Sequence, residues 1–227
     1  AALGSAGNLV ATLVTAGGGG NGATAGGDIV LTTTTGTTSN IEVTSVTAVG
    51  DQVTLDAVDA VTNTTDDTTA EVTASILLLE AGTGVRLDTD VATIDAFGAG
   101  NTVTGTGNID IDEVSGVTLT ELTTFDGNIT VDAALGSAGN LVATLVTAGG
   151  GDNGDMSSDQ AVDGGDVVLT TTTGASNVQA GNVTAAADFI RLAASGAITN
   201  TTNDTTADVT ADIVYLGAAT GVTLDTD

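Results

Sequence analysis

The sequence predicts an all-β chain wound into a right-handed parallel β-helix, and three observations predict it. The composition favours short strands filled by small residues, a long segment recurs, and a Gly-Asn or Gly-Asp pair keeps opening runs of alternating apolar and polar residues. Of the 227 residues 41% are hydrophobic, enough for a core despite a formal net charge of -27. The chain is therefore not a disordered acidic tail. Aromatic residues make up only 2% and Trp is absent, so thin layers of Val, Leu, Ile and Ala must fill the interior. Thr and Val are β-branched and favour strands. Pro is absent and Gly shows no period of three, which excludes a collagen helix, and no apolar heptad persists long enough for a coiled coil.

The recurrence sets the organisation. AALGSAGNLVATLVTAGGG at Ala1 to Gly19 returns unchanged at Ala133 to Gly151, an offset of 132. GGDIVLTTTTG at Gly26 returns as GGDVVLTTTTG at Gly164, and AVTNTTDDTTAEVTA at Ala60 returns as AITNTTNDTTADVTA at Ala197. GTGVRLDTD ending at Asp90 returns as ATGVTLDTD ending at Asp227. The offset drifts through 138 to 137, so residues entered the second copy between Gly151 and Gly164. We assign residues 1-132 to a first long unit and 133-227 to a second, incomplete one that continues the same solenoid. The second has no equivalent of Val91 to Asp132, so the sequence reads as a window on a longer array.

Within each unit the corners follow in order. Gly27-Asp28 precedes Ile29-Val30-Leu31, Gly50-Asp51 precedes Gln52-Val53-Thr54-Leu55, and Gly107-Asn108 precedes Ile109-Asp110-Ile111. Gly127-Asn128 precedes Ile129-Thr130-Val131, and Gly165-Asp166 precedes Val167-Val168-Leu169. Glycine suits a sharp corner, and Asn or Asp bonds backbone locally. The alternation that follows places Ile109 and Ile111 on one face and Asp110 and Asp112 on the other. Several spacings fall at about 20 to 25 residues, the size of one β-helix rung, and about ten rungs stacked about 4.8 Å apart would form a rod of roughly 50 Å. The expected right hand follows from the twist of L-residue strands. Tandem β-sandwich modules are the alternative; they call for an aromatic anchor and Pro-bearing turns.

GDIVLTTTTG, DQVTLDA, AEVTASILLLEAGTGVRLDTDVATIDA, GNIDIDEVSGVTL and GNITV together resemble the large repetitive bacterial surface proteins of the filamentous haemagglutinin type. The resemblance covers nearly the whole chain. It implies a secreted, right-handed β-helical shaft at the cell surface or outside the cell, used in adhesion, biofilm or filament formation. On that reading the partners are further copies stacked end to end and cell-surface or matrix polysaccharide.

The residue inventory narrows chemistry. Without His, Cys or Lys the chain lacks the groups for Ser-His-Asp, Cys-His, Schiff-base or His-metal chemistry. We read it as not an enzyme, with no catalytic residue and no bound cofactor required. Paired carboxylates such as Asp110 and Asp112 remain the one catalytic pattern of a polysaccharide-degrading β-helix, and sugar sites on such folds add basic and aromatic groups, here Arg86, Arg191 and Tyr215. The metal candidates are Asp152, Asp155, Asp159 and Asp163 in the inserted loop GDNGDMSSDQAVDGGD, whose close oxygen ligands suit calcium without matching an EF-hand or β-roll repeat. Thr32 to Thr35 and Thr170 to Thr173 raise an ice-binding solenoid as a further alternative, and N-x-Thr sequons occur at Asn63, Asn128, Asn182, Asn200 and Asn203. Two cations against 29 acids exclude nucleic acid as a partner. The longest apolar run, Ile76 to Leu79, is too short to span a membrane as a helix.

Overall fold

The computed structural model describes residues 7–17, 27–34, 39–65, 69–97, 102–150, 165–202 and 206–225. Among these the chain forms twenty-one strands, from Leu9–Ala11 to Gly221–Thr223, with no helix. Every recorded pairing is parallel and joins segments one rung apart. The chain is thus a β-solenoid of stacked coils. The sandwich alternative requires antiparallel hairpins, which do not occur among these pairings.

One column runs through nine levels in strict register: Leu9, Ile41, Val61, Val85, Ile109, Ile129, Val167, Ile190 and Val214. At about 4.8 Å per rung this gives a height of about 40 Å, somewhat short of the expected rod. Alternation does the sorting. In Ile109–Glu113 the apolar Ile109 and Ile111 are buried and Asp110 is exposed. Parallel stacking places each inward aliphatic residue on another, so one continuous apolar cluster fills the shaft.

Rung length is more variable than 20 to 25 residues. Ile41 to Val61 takes 20 and Val53 to Leu77 takes 24, but Val72 to Thr89 takes 17 and Ile129 to Val167 takes 38. The strands fix the perimeter, and length differences are absorbed where they join. The short rung joins Val72–Ala81 to Gly84–Ala96 through two residues, whereas the long one contains the insertion between Val146–Ala148 and Val167–Thr171.

The corners are held by side-chain ladders. Asn8 Oδ1 accepts the Asn40 amide at 3.3 Å, and Asn40 Oδ1 accepts the Ala60 amide at 3.0 Å. The second copy repeats this, with Asn140 accepting from Asn177 at 2.9 Å and Asn177 from Ala197 at 2.7 Å. A third ladder links Asn108 to Asn128 at 2.9 Å, and Asn128 accepts the amides of Gly165 and Asp166 at 3.0 Å each. Each side chain satisfies an amide that the turn would otherwise leave open. Beside the third ladder, Gly107 and Gly127 bring backbone so close that a Cβ on either would strike the carbonyl beneath it.

Equivalent residues of the two long units do not share a column. Ile29 lies under Val53, Leu77, Ile94, Leu119 and Ala143 in turn. Its equivalent, Val167, stands instead on Ile129, in the column of Leu9. Five rungs carry the chain from Leu9 to Ile129, and Leu141, the equivalent of Leu9, follows within the next rung. The long unit therefore exceeds five turns by a fraction of a turn.

Candidate functional site

Carboxylates occupy two kinds of place. Some are enclosed at corners, where they serve the backbone. Glu71, 3% exposed, accepts the Thr65 hydroxyl at 2.7 Å and the Asp88 amide at 3.3 Å. Its equivalent Asp208 accepts the amide of Asp225, itself the equivalent of Asp88, at 2.7 Å. Glu113 is fully buried; its two oxygens accept the Thr89 hydroxyl at 2.7 Å, the Val91 amide at 3.1 Å, the Ser115 amide at 2.9 Å and the Ser115 hydroxyl at 3.0 Å. Burial nevertheless pushes the Glu113 carboxyl above its ordinary value, against the opposing pull of those four hydrogen bonds. Asp51 differs, for it is completely buried and neither carboxylate oxygen has a hydrogen-bond partner. It packs on Gly27, whose missing side chain leaves the room it occupies, and Asp188 packs on Gly165 in the same way in the second copy.

Other described carboxylates, among them Asp110, Asp112, Asp56 and Glu80, stand on the outer sides of their strands. Asp110 and Asp112 do share the outer side of their strand, but they meet different neighbours. Asp110 lies between Arg86 below and Thr130 above, while Asp112 lies between Asp88 and Asp132. On the outer strip of the first copy Asp56 stands in register with Glu80. Burial pushes both carboxyls up, and the charge on Asp56 raises Glu80 further. Among the described residues no group of three or more acidic side chains is arranged to hold a metal ion. The calcium candidates Asp152, Asp155, Asp159 and Asp163 lie outside the described residues.

The Thr runs do not make a flat array. Thr33 and Thr171 turn inward, each 3% exposed, and donate to the carbonyls of Ser39 at 2.9 Å and Ser176 at 2.8 Å. Outward Thr32 neighbours Asp56, and Thr170 lies between Asp132 and Ala193, so neither run is continued by threonine on the neighbouring rungs; threonines align instead at Thr15, Thr47 and Thr73 and at Thr123, Thr147, Thr184 and Thr210. Of the sequons, Asn128 belongs to a corner ladder, and Asn63 and its equivalent Asn200 donate to Asp88 at 3.4 Å and Asp225 at 3.1 Å. Asn182 is exposed and accepts from Thr184 at 3.1 Å; Asn203 lies outside the described residues.

The sequence separated Arg191 and Tyr215 by 24 residues, but this is one rung here, and the two stand in register on one outer face. Phe189 joins them, its ring centroid 5.2 Å from that of Tyr215. A groove of about 330 Å³ opens beside Arg191, reaching across Asp166 and Thr170 to Thr130 and Asp132.

No protein-family model, curated protein or solved structure matches this chain. The β-solenoid fold is accordingly carried by the coil geometry alone, a geometry consistent with β-helical adhesins. Among the described residues no helix is long and apolar enough to cross a membrane.

Proposed function

We propose that this chain is a structural shaft, a stretch of extracellular surface fibre or adhesive stalk of the filamentous haemagglutinin kind, and not an enzyme. The observation that carries the reading is the nine-level aliphatic column from Leu9 to Val214, one uninterrupted core along the whole described length. A solenoid of this kind gains length by adding rungs, with each rung contacting its immediate neighbours. A net charge of -27 keeps neighbouring shafts apart along their sides, leaving growth at the ends.

Negative-stain electron microscopy with light scattering over a concentration series tests this. We expect rods that lengthen with concentration. Monomers whose size is independent of concentration, or cleavage of polysaccharide by the purified chain, would overturn the reading.

A further inference from the structure

The two copies differ most informatively on one outer strip. Inward positions keep their character: Val53, Leu55 and Leu79 become Ile190, Leu192 and Leu216. Outward positions do not. Gln52, Thr54 and Leu78 become Phe189, Arg191 and Tyr215, and the facing acids Asp56 and Glu80 become Ala193 and Gly217. Core packing explains none of these changes, because all five side chains lie on the outer side of their strands. Together they replace a doubly acidic strip with one that is aromatic and singly cationic.

Arg191 is exposed, and among the described residues no hydrogen bond or ion pair engages its guanidinium. Tyr215 lies directly above it in register on the same outer side, braced by Phe189. The groove beside Arg191 adds acceptors in Asp132 and Asp166 and hydroxyls in Thr130 and Thr170.

We propose that this face binds a neutral polysaccharide. A pyranose offers an apolar C–H face for the Tyr215 ring and hydroxyl groups that both donate and accept. Asp132 and Asp166 take the donated bonds, and Arg191 supplies bonds to ring and hydroxyl oxygens. An anionic glycan would gain from Arg191 but meet two carboxylates within the same groove, under the field of a strongly negative chain. Nucleic acid fails for the same reason. The rung spacing of about 4.8 Å is close to the length of one extended pyranose unit, so successive sugars can follow successive rungs. This inference does not depend on whether the shaft stacks into fibres.

Tyr215 is the only tyrosine and Trp is absent, so tyrosine emission reports on this face alone. Titration of the full chain with cellohexaose, mannohexaose and chitohexaose, and separately with hexagalacturonate, is the test. We expect a saturable emission change with at least one neutral hexasaccharide. Calorimetry should show Arg191→Ala and Tyr215→Ala each weakening that binding about tenfold or more, since hydrogen bonds to charged groups contribute about 1.5–3 kcal/mol. Circular dichroism checks that these exposed substitutions leave the strands intact. No saturable change with any neutral sugar, tighter binding of hexagalacturonate, or binding unaffected by Arg191→Ala would overturn the proposal.

Discussion

Replacing Gly107 by alanine tests whether the rungs are held as close as backbone geometry places them. An alanine Cβ would lie 1.5 Å from the Thr83 carbonyl oxygen and 2.3 Å from its carbon. Ordinary contact needs about 3.4 Å or more, so the rungs must part locally by about 2 Å, which ridge-on-ridge side chains cannot absorb. The obstacle is backbone, which cannot rotate away. Parting strains the bonds that cross this gap, Val85 to Asn108 at 2.9 Å and Ala81 to Thr102 at 2.8 Å. Losing both costs about 2 kcal/mol, and overpacking adds about 1–3 kcal/mol. We expect Gly107→Ala to lower unfolding free energy by about 3–5 kcal/mol in urea titrations followed by far-ultraviolet circular dichroism. Gly217→Ala is the control, since an added Cβ there has nothing within 4 Å, and it should change stability by less than about 0.5 kcal/mol. A loss below about 1 kcal/mol for Gly107→Ala, or equal losses for both, would refute the reasoning.

Two further outcomes follow from the buried carboxyls. Asp51→Asn exchanges a buried carboxyl whose two oxygens lack hydrogen-bond partners for a neutral amide of the same shape, and it should leave the urea midpoint unchanged or raise it; a lower midpoint than wild type would contradict this. Glu113 titrates above its ordinary 4.5 because burial penalises its ionised form. Its penalty is thus absent below pH 4.5 and grows as pH rises through the raised value, so acidification favours the wild type. Against Glu113→Gln, which carries no charge at any pH, the wild type should gain melting temperature between pH 7 and about pH 4.5. A relative loss over that interval would reverse the assigned sign.

The strand interiors were legible because alternation is a local property. Val53, Leu55 and Ile109, Ile111 declare their inward faces within five residues of sequence, and the Gly-Asn pairs mark corners by their own backbone chemistry. What stacks on what is not local. Arg191 meets Tyr215 only because the intervening rung takes 24 residues, while rungs elsewhere in the chain take 17 or 38. No single period read from the sequence could have paired them. Inward carboxylates were hidden for a different reason. Glu113 lies where alternation calls for an apolar residue, and only the convergence of Thr89, Val91 and Ser115 on it makes that position tenable.

The fractional turn by which the long unit overshoots five rungs has an architectural consequence. Duplicating a segment along this chain also rotates it: the acidic strip of Asp56 and Glu80 and the aromatic strip of Arg191 and Tyr215 occupy equivalent places in sequence but different azimuths on the shaft. Any surface chemistry acquired by one copy is therefore displayed in its own compass direction, and a flat partner pressed against the shaft meets one of them at a time. Divergence between copies here diversifies the circumference while the core beneath it stays continuous.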